Sequence, residues 1–359
     1  MSLWARFSDE TTDEKAAMVE LLRTLMDQGV VEAALCQAET ANGGLPVPVL
    51  FSDPEELSRA APLSRVFPVN AARMVSRLTA RPGQGRIAAV LRPCEVRAHL
   101  ELVKLNQSSG EDVLCVSFDC RGAVENGAAG TPESVGTDMA QACTACTRPV
   151  GDMADLCVAT LGVEGGGMLI SANTEAGQRA METLGLAGAT EPPGRKRAVD
   201  EVLAEKREAR DAMLAKTADA AGSLEKLADW LSRCVACGNC RVACPVCYCR
   251  ECVFQTSALS HEPVQYLKWA RRRGSLRMPA DTLFYHLTRM AHMSLSCVGC
   301  GQCANMCPNG VGVFELMALA ADTAQQAFSY EPGMDLSTGP PLGEWKESEF
   351  EEIVGMQGV

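Results

Sequence analysis

The sequence predicts an α/β layer domain over residues 1–190, a charged helical linker over 191–222, an α-helical cysteine-rich domain over 223–325 and a tail over 326–359. Three observations predict this arrangement. Short apolar runs alternate with helix-period segments in the first half, the pattern of a sheet covered by helices. Eleven of the eighteen cysteines fall between residues 223 and 325, where the rest of the sequence reads as helix. Between them, Gly188, Pro192, Pro193 and Gly194 interrupt the chain ahead of a run rich in Ala, Glu, Lys and Arg. A chain of 359 residues is in any case too long for one ordinary core.

In the first domain, Glu14 to Gln28 has helical periodicity and stops at Gly29. Arg86 to Leu91 (RIAAVL) reads as a short strand, Glu95 to Leu105 as a helix, and Val113 to Phe118 (VLCVSF) and Leu156 to Leu161 as further strands. Gly165, Gly166 and Gly167 read as a hairpin, because the strand-to-helix context of a dinucleotide site is missing around them. The run from Arg195 to Lys216 is expected to be a solvated helix without chemistry of its own. In the second domain Leu224–Leu231, Pro263–Arg272, Asp281–His292 and Val313–Ala321 read as helices. The Gly-, Pro- and Glu-rich tail from Phe328 is expected to lie over the surface or to dock to a partner.

Bulk composition narrows the function. A net charge of -12 argues against binding nucleic acid through phosphates and suits solubility or docking onto a basic partner. No run approaches the roughly 18 consecutive apolar residues of a membrane helix, and the N-terminus has no signal-peptide pattern. A cytoplasmic chain is expected. Disulfides would be reduced there, so closely spaced cysteines read as metal or cluster ligands.

Two stretches repeat one another: Cys234-x-x-Cys237-x-x-Cys240-x-x-x-Cys244-Pro245 and Cys297-x-x-Cys300-x-x-Cys303-x-x-x-Cys307-Pro308. Both follow the bacterial ferredoxin pattern. Cysteines three apart in a tight loop present their sulfurs to one small cube, and Gly238, Gly299 and Gly301 free backbone amides to donate to it. The fourth cysteine of such a run serves the other cluster. Cys234, Cys237, Cys240 and Cys307 are therefore expected to hold one 4Fe–4S cluster, and Cys297, Cys300, Cys303 and Cys244 a second. The alternative is zinc, which takes two convergent C-x-x-C knuckles rather than two four-cysteine runs each ending in proline. The segment between the runs, from about Phe254 to Ser296, is longer than a minimal ferredoxin allows and reads as helical, with Tyr285, His286, Arg289, Met290 and His292 in one amphipathic stretch. This predicts an α-helical two-cluster ferredoxin domain, in which His286 and His292 pack near a cluster rather than ligate it.

A second cysteine set lies in the α/β domain. Cys94 and Cys120 sit just past the carboxyl ends of predicted strands, where open α/β sheets bind ligands. Cys143 and Cys146 form a C-x-x-C in a loop ahead of the third predicted strand. Spacing leaves two readings equal: one further cluster, or two buried thiols beside a redox pair or zinc knuckle. Cys247, Cys249 and Cys252 crowd directly after a ligand and form a candidate for a further site. Cys36, Cys115 and Cys157 lie in apolar runs and read as buried small hydrophobes. The acidic pairs Glu55–Glu56 and Glu351–Glu352 read as solvated faces.

Several segments together resemble the beta subunits of hydrogenases that reduce the deazaflavin coenzyme F-420, and of the related formate dehydrogenases. They are LRPCEVRAHLELVKL (Leu91–Leu105), FDCRG (Phe118–Gly122), CTACTRPVGDMADLCVATLGV (Cys143–Val163), CVACGNCRVACPVCYCREC (Cys234–Cys252) and HLTRMAHMSLSCVGCGQCANMCP (His286–Pro308). The resemblance spans nearly the whole chain. It implies a hydrogenase/dehydrogenase beta-subunit-like fold for the α/β domain, and a third cluster at Cys94, Cys120, Cys143 and Cys146 beside a flavin, FAD. It also implies that electrons pass singly between that flavin and the ferredoxin clusters. The chain departs from the flavin-binding members in one respect. They tend to carry a glycine-rich stretch before the first helix, and here Thr11 to Met18 (TTDEKAAM) contains no glycine.

Three functions follow as expectations. The chain relays electrons from a formate dehydrogenase or hydrogenase to a heterodisulfide-reductase-like partner; or it is a flavin-dependent oxidoreductase acting on a deazaflavin or a nicotinamide; or it is a zinc-bound scaffold.

Overall fold

The computed structural model describes residues 3–8, 13–81, 85–125, 135–163, 168–186, 188–257, 261–276 and 281–343. Eight strands form one mixed sheet: β1 (Leu3–Arg6), β2 (Ala33–Ala38), β3 (Val47–Phe51), β4 (Ile87–Val90), β5 (Val113–Phe118), β6 (Leu156–Ala159), β7 (Leu169–Ala172) and β8 (Gly188–Ala189). Their order is β3-β2-β4-β5-β6-β7-β1-β8. The four central strands β2, β4, β5 and β6 run parallel, and antiparallel strands flank them on both sides. Among the described residues, this half carries the α-helices α1 (Glu14–Asp27), α2 (Ala72–Leu78), α3 (Pro93–Lys104), α4 (Gln141–Thr144) and α5 (Glu175–Thr183). The long α6 (Arg195–Ala220) leads to α7 (Leu224–Trp230), α8 (Asn239–Ala243), α9 (Pro263–Arg273), α10 (Thr282–Met293), α11 (Gln302–Asn305) and α12 (Val313–Ala327).

The sequence of β5 explains the layering. Every residue of VLCVSF is buried, as expected of a parallel strand covered on both faces. Successive side chains point to opposite faces. Leu114, Val116 and Phe118 join Met18, Leu21, Leu22 and Leu25 of α1 and Ala180 and Met181 of α5 on one side. Val113 and Cys115 join Val75 of α2 and Val96 of α3 on the other. Each leucine buried in full contributes roughly 1.5–3 kcal/mol.

Helices α2 and α3 have a second apolar side. Ala72, Ala98 and Leu102 meet Val246, Met293, Val298 and Met317 of the cysteine-rich half, so the carboxyl edge of the sheet is held against that half. Gly188, expected only to break the chain, forms with Ala189 a short edge strand on β1. The glycine triplet at 165–167 lies outside the described residues.

Two expectations change. The helix α6 is not simply solvated: Arg195, Met213 and Thr217 are buried. Arg195 holds Asp119 in a two-point ion pair, at 2.5 and 2.9 Å. The start of the tail does not lie loosely on the surface either. Tyr330 is buried and its hydroxyl donates to Glu101 at 2.7 Å, as does the Gly333 amide at 3.0 Å. Periodicity gives no sign of either, because both depend on partners far away in the chain.

Candidate metal centres

The two cysteine repeats fold into the same local shape. Gly238 and Gly301 each precede a one-turn helix, α8 and α11, with φ 74° in both. That left-handed turn suits glycine and lets the chain bend around its first two cysteines. Cys240 and Cys303 lie on the one-turn helices, and Cys244 and Cys307 follow their ends. Helices α8 and α11 pack together, which carries each fourth cysteine toward the opposite loop. Ionising Cys240, Cys307 or Cys237 acts on Cys234, whereas Cys244, Cys303 and Cys297 act on Cys300. The structure thus brings together Cys234, Cys237, Cys240 and Cys307 as one set, and Cys297, Cys300, Cys303 and Cys244 as another.

The surroundings suit bound thiolates. All eighteen cysteines are free. The Ala236 amide donates to Cys234 Sγ at 3.3 Å and the Val311 amide to Cys307 Sγ at 3.4 Å. Burial pushes the thiols of Cys244, Cys297 and Cys300 up, and backbone amides of Val246, Cys247, Gly299 and Gln302 oppose the rise. Four sulfurs with amide donors around them, and no oxygen ligand, form the donor set of an iron–sulfur cube.

Helix α10 lies along both sets. The Tyr285 hydroxyl lies 3.4 Å from Cys240 Sγ, and His286 Nε2 lies 3.3 Å from Cys234 Sγ. Burial lowers His286 to about 4, so its ring is neutral near pH 7. One turn on, Arg289 is buried. Burial opposes its charge, but the thiols of Cys240, Cys303 and Cys244 outweigh that effect and raise its pKa.

The sheet's carboxyl edge gathers the other four cysteines. Cys94 sits in the first turn of α3, which Glu95 fixes by accepting from the Arg92 amide at 2.9 Å and from the Ala71 amide at 2.7 Å. Cys120 follows β5, and its amide donates to Pro149 O at 2.7 Å. Cys143 lies on α4 and accepts from the Ala123 amide at 3.2 Å. Burial raises Cys120 to about 11; Arg92 and the Gly122 amide oppose that rise, while Cys143 and Cys146 add to it. Lys206 of α6 donates to Cys143 O at 2.5 Å and its charge acts on the Cys143 thiol. Sequence reading missed Lys206, which is one basic residue in a charged run.

The second repeat adjoins both other sets: the Gly301 loop packs on Ala142 of α4, and α11 packs on α8. After burial, the largest influence on Cys94 is Cys300 of the second repeat. Cys303 of that repeat in turn feels Cys240 of the first. Cys247 feels Cys244 and, less strongly, Cys249, with Arg241 and Arg289 opposing the rise of its thiol; Cys249 is exposed and Cys252 half-buried. Among the described residues, no three His, Cys, Asp or Glu side chains are arranged to hold a single metal ion. Cys36, Cys115 and Cys157 are buried within β2, β5 and β6, and burial pushes Cys36 up to about 12.

A cleft of about 740 Å³ opens beside the C-x-x-C loop, lined by Trp4, Arg148, Asp152, Asn173, Arg195 and Lys196 among others. Its size suits a ring-bearing ligand. Its three basic side chains are already paired, Arg148 with Glu331, Arg195 with Asp119 and Lys196 with Asp200. Among the described residues lining it, each basic side chain thus has an acidic partner.

A family model described as a 4Fe-4S dicluster domain matches residues 230–311. The F420-dependent formate dehydrogenase subunit beta of Methanocaldococcus jannaschii is 24% identical over 91% of this chain and 93% of the relative. The F420-dependent formate dehydrogenase 1 subunit beta of Methanococcus maripaludis is 23% identical over 91% and 92%. The chain is a relative of F420-dependent formate dehydrogenase beta subunits. This relative of the beta subunits is an iron–sulfur protein of electron transport. A chain of the F420-reducing [NiFe] hydrogenase complex of Methanosarcina barkeri matches with 13% identity and a TM-score of 0.46, over 63% of this chain and 94% of that one. Among the described residues, no helix of the beta-subunit relative is long and apolar enough to cross a membrane.

Proposed function

We propose that the chain is the iron–sulfur electron-transfer subunit of a multi-subunit cytoplasmic oxidoreductase. It relays single electrons between a formate dehydrogenase- or hydrogenase-type partner and a heterodisulfide-reductase-like partner. Cys234, Cys237, Cys240 and Cys307 hold one 4Fe–4S cluster; Cys297, Cys300, Cys303 and Cys244 hold a second; Cys94, Cys120, Cys143 and Cys146 hold a third. The α/β unit over 1–190 carries the third cluster, and the α-helical ferredoxin unit over 223–325 carries the other two. The observation that supports this reading most is that the second repeat adjoins both other sets, its Gly301 loop packed on the helix that carries Cys143 and its α11 packed on α8 of the first repeat.

When bound, 4Fe–4S clusters supply one-electron carriers whose potentials follow charge, hydrogen bonding and solvent exposure. The chain's residues set those conditions. Backbone amides at Cys234, Cys307 and Cys143 stabilise thiolate charge. Cys303 is buried and Cys300 half-buried, which limits water around the second set. Cys237 is exposed, so the first set reaches the surface where a partner takes or gives an electron.

The test is anaerobic purification of the full chain from its own cells. A formate- or hydrogen-oxidising subunit is expected to co-purify, and the broad visible absorbance is expected to bleach when that complex receives formate or hydrogen. Absence of any redox partner, or absorbance that the donor leaves unchanged, contradicts the proposal. A second reading, a flavin enzyme acting on a deazaflavin or nicotinamide, draws support from the cleft beside the C-x-x-C loop. A flavin spectrum in the protein-free extract would favour it.

A further inference from the structure

We propose that Arg289 is a buried positive charge shared by the two cages of the helical unit, and that it raises the reduction potentials of both together. The inference rests on the cluster reading above. Residues three and four apart on a helix share a face. On α10 that face carries Tyr285, His286 and Arg289, all buried. The first two touch Cys240 and Cys234 of the first cage. The guanidinium lies within electrostatic reach of Cys240 of that cage and of Cys303 and Cys244 of the second, and the next residue on the helix, Met290, packs in the cluster that holds Cys244, Cys297 and Cys300.

Arg289 is 3% exposed, and its Nε and Nη1 find no hydrogen-bond partner. Among the described residues, no carboxylate pairs with it. A buried charge without a counter-charge is costly, and arginine cannot shed its proton to escape that cost. The anionic cages on either side are the counter-charge available. Each four-thiolate cage is negative and gains one further negative charge when it takes an electron. A fixed cation nearby therefore stabilises the reduced form more than the oxidised one. Arg289 is thus a positioning charge that acts through the cages. The sheet cage has its own cations, Arg92 and Lys206, and serves as an internal control.

The test is a redox titration of the anaerobically purified full-length chain, followed by paramagnetic resonance, comparing wild type with Arg289→Met and Arg289→Gln. Iron content is expected to stay the same. Two of the three signals should show at least a tenfold lower reduced-to-oxidised ratio at a fixed poise, about 59 mV for one electron. The third signal should stay in place, and Arg289→Lys should recover most of the difference. Unchanged potentials in both neutral variants, with iron retained, overturn the inference and leave the cluster reading standing. An iron-free wild-type chain overturns the cluster reading and this inference with it.

Discussion

A Cβ on Gly301 would sit 2.3 Å from the Cβ of Ala142. The loop of the second repeat and the helix that carries Cys143 therefore meet at a point where only a hydrogen fits. Gly301 also has φ +74°, which an L side chain adopts at a cost. Gly301→Ala is expected to lower stability by about 2–4 kcal/mol, combining overpacking with left-handed strain. Denaturant midpoints of the loaded protein measure this loss. The variant should also weaken the magnetic coupling between the sheet cage and its neighbour, because Cys94 and Cys300 are the adjacent members.

The exchange of fourth cysteines makes a separate prediction. Cys307→Ser is expected to remove or convert the cluster of Cys234, Cys237 and Cys240 and leave that of Cys297, Cys300 and Cys303. Cys244→Ser is expected to do the reverse. Resonance spectra of the reduced proteins distinguish the two losses. If each variant damages only the cluster of its own repeat, the exchange is wrong.

His99 predicts an acid sensitivity. It lies buried on α3 beside the Ser108 hydroxyl, at 3.2 Å, and burial lowers it from 6.5 to about 4. The folded ring stays neutral while the unfolded ring takes a proton below 6.5. Its contribution is therefore full above pH 6.5 and is lost as pH falls through 4. The shift corresponds to about 3 kcal/mol. Unfolding midpoints between pH 7.5 and 4.5 should fall more steeply for wild type than for His99→Gln. Parallel curves would remove His99 from the account.

The Asp119–Arg195 pair predicts the cost of detaching α6. Asp119 Oδ2 also accepts from the amides of Thr160 at 2.8 Å and Leu161 at 2.9 Å. Asp119→Asn leaves a buried guanidinium without its counter-charge and is expected to cost about 3–5 kcal/mol. The loss appears as a lower denaturant midpoint. A change under 1 kcal/mol, roughly the worth of an exposed pair, would show that the pair is not buried in solution.

Much of this architecture can be read from local pattern. The helix α1 follows from its apolar period, from Asp13 capping the Ala16 amide and from the stop at Gly29. Strand β5 follows from a six-residue run in which all but Ser117 are apolar. The strands β7, β1 and β8 at one end of the sheet could not be read this way. They have two to four residues each, and β1 pairs with partners more than 160 positions away, so no turn signal marks it. The cysteine repeats are legible because their spacing is local chemistry. Lys206 and Arg289 are not. A lysine in a charged run and an arginine on a helix look like ordinary surface residues until the fold brings Cys143 O to one and Cys240, Cys303 and Cys244 to the other.

The most direct test of the central claim is iron and acid-labile sulfide measured per chain in the full-length protein purified without oxygen. Three four-iron clusters predict about twelve of each, falling by about four in Cys120→Ala. A chain that holds zinc in place of iron, or that retains its full iron after Cys120→Ala, contradicts it.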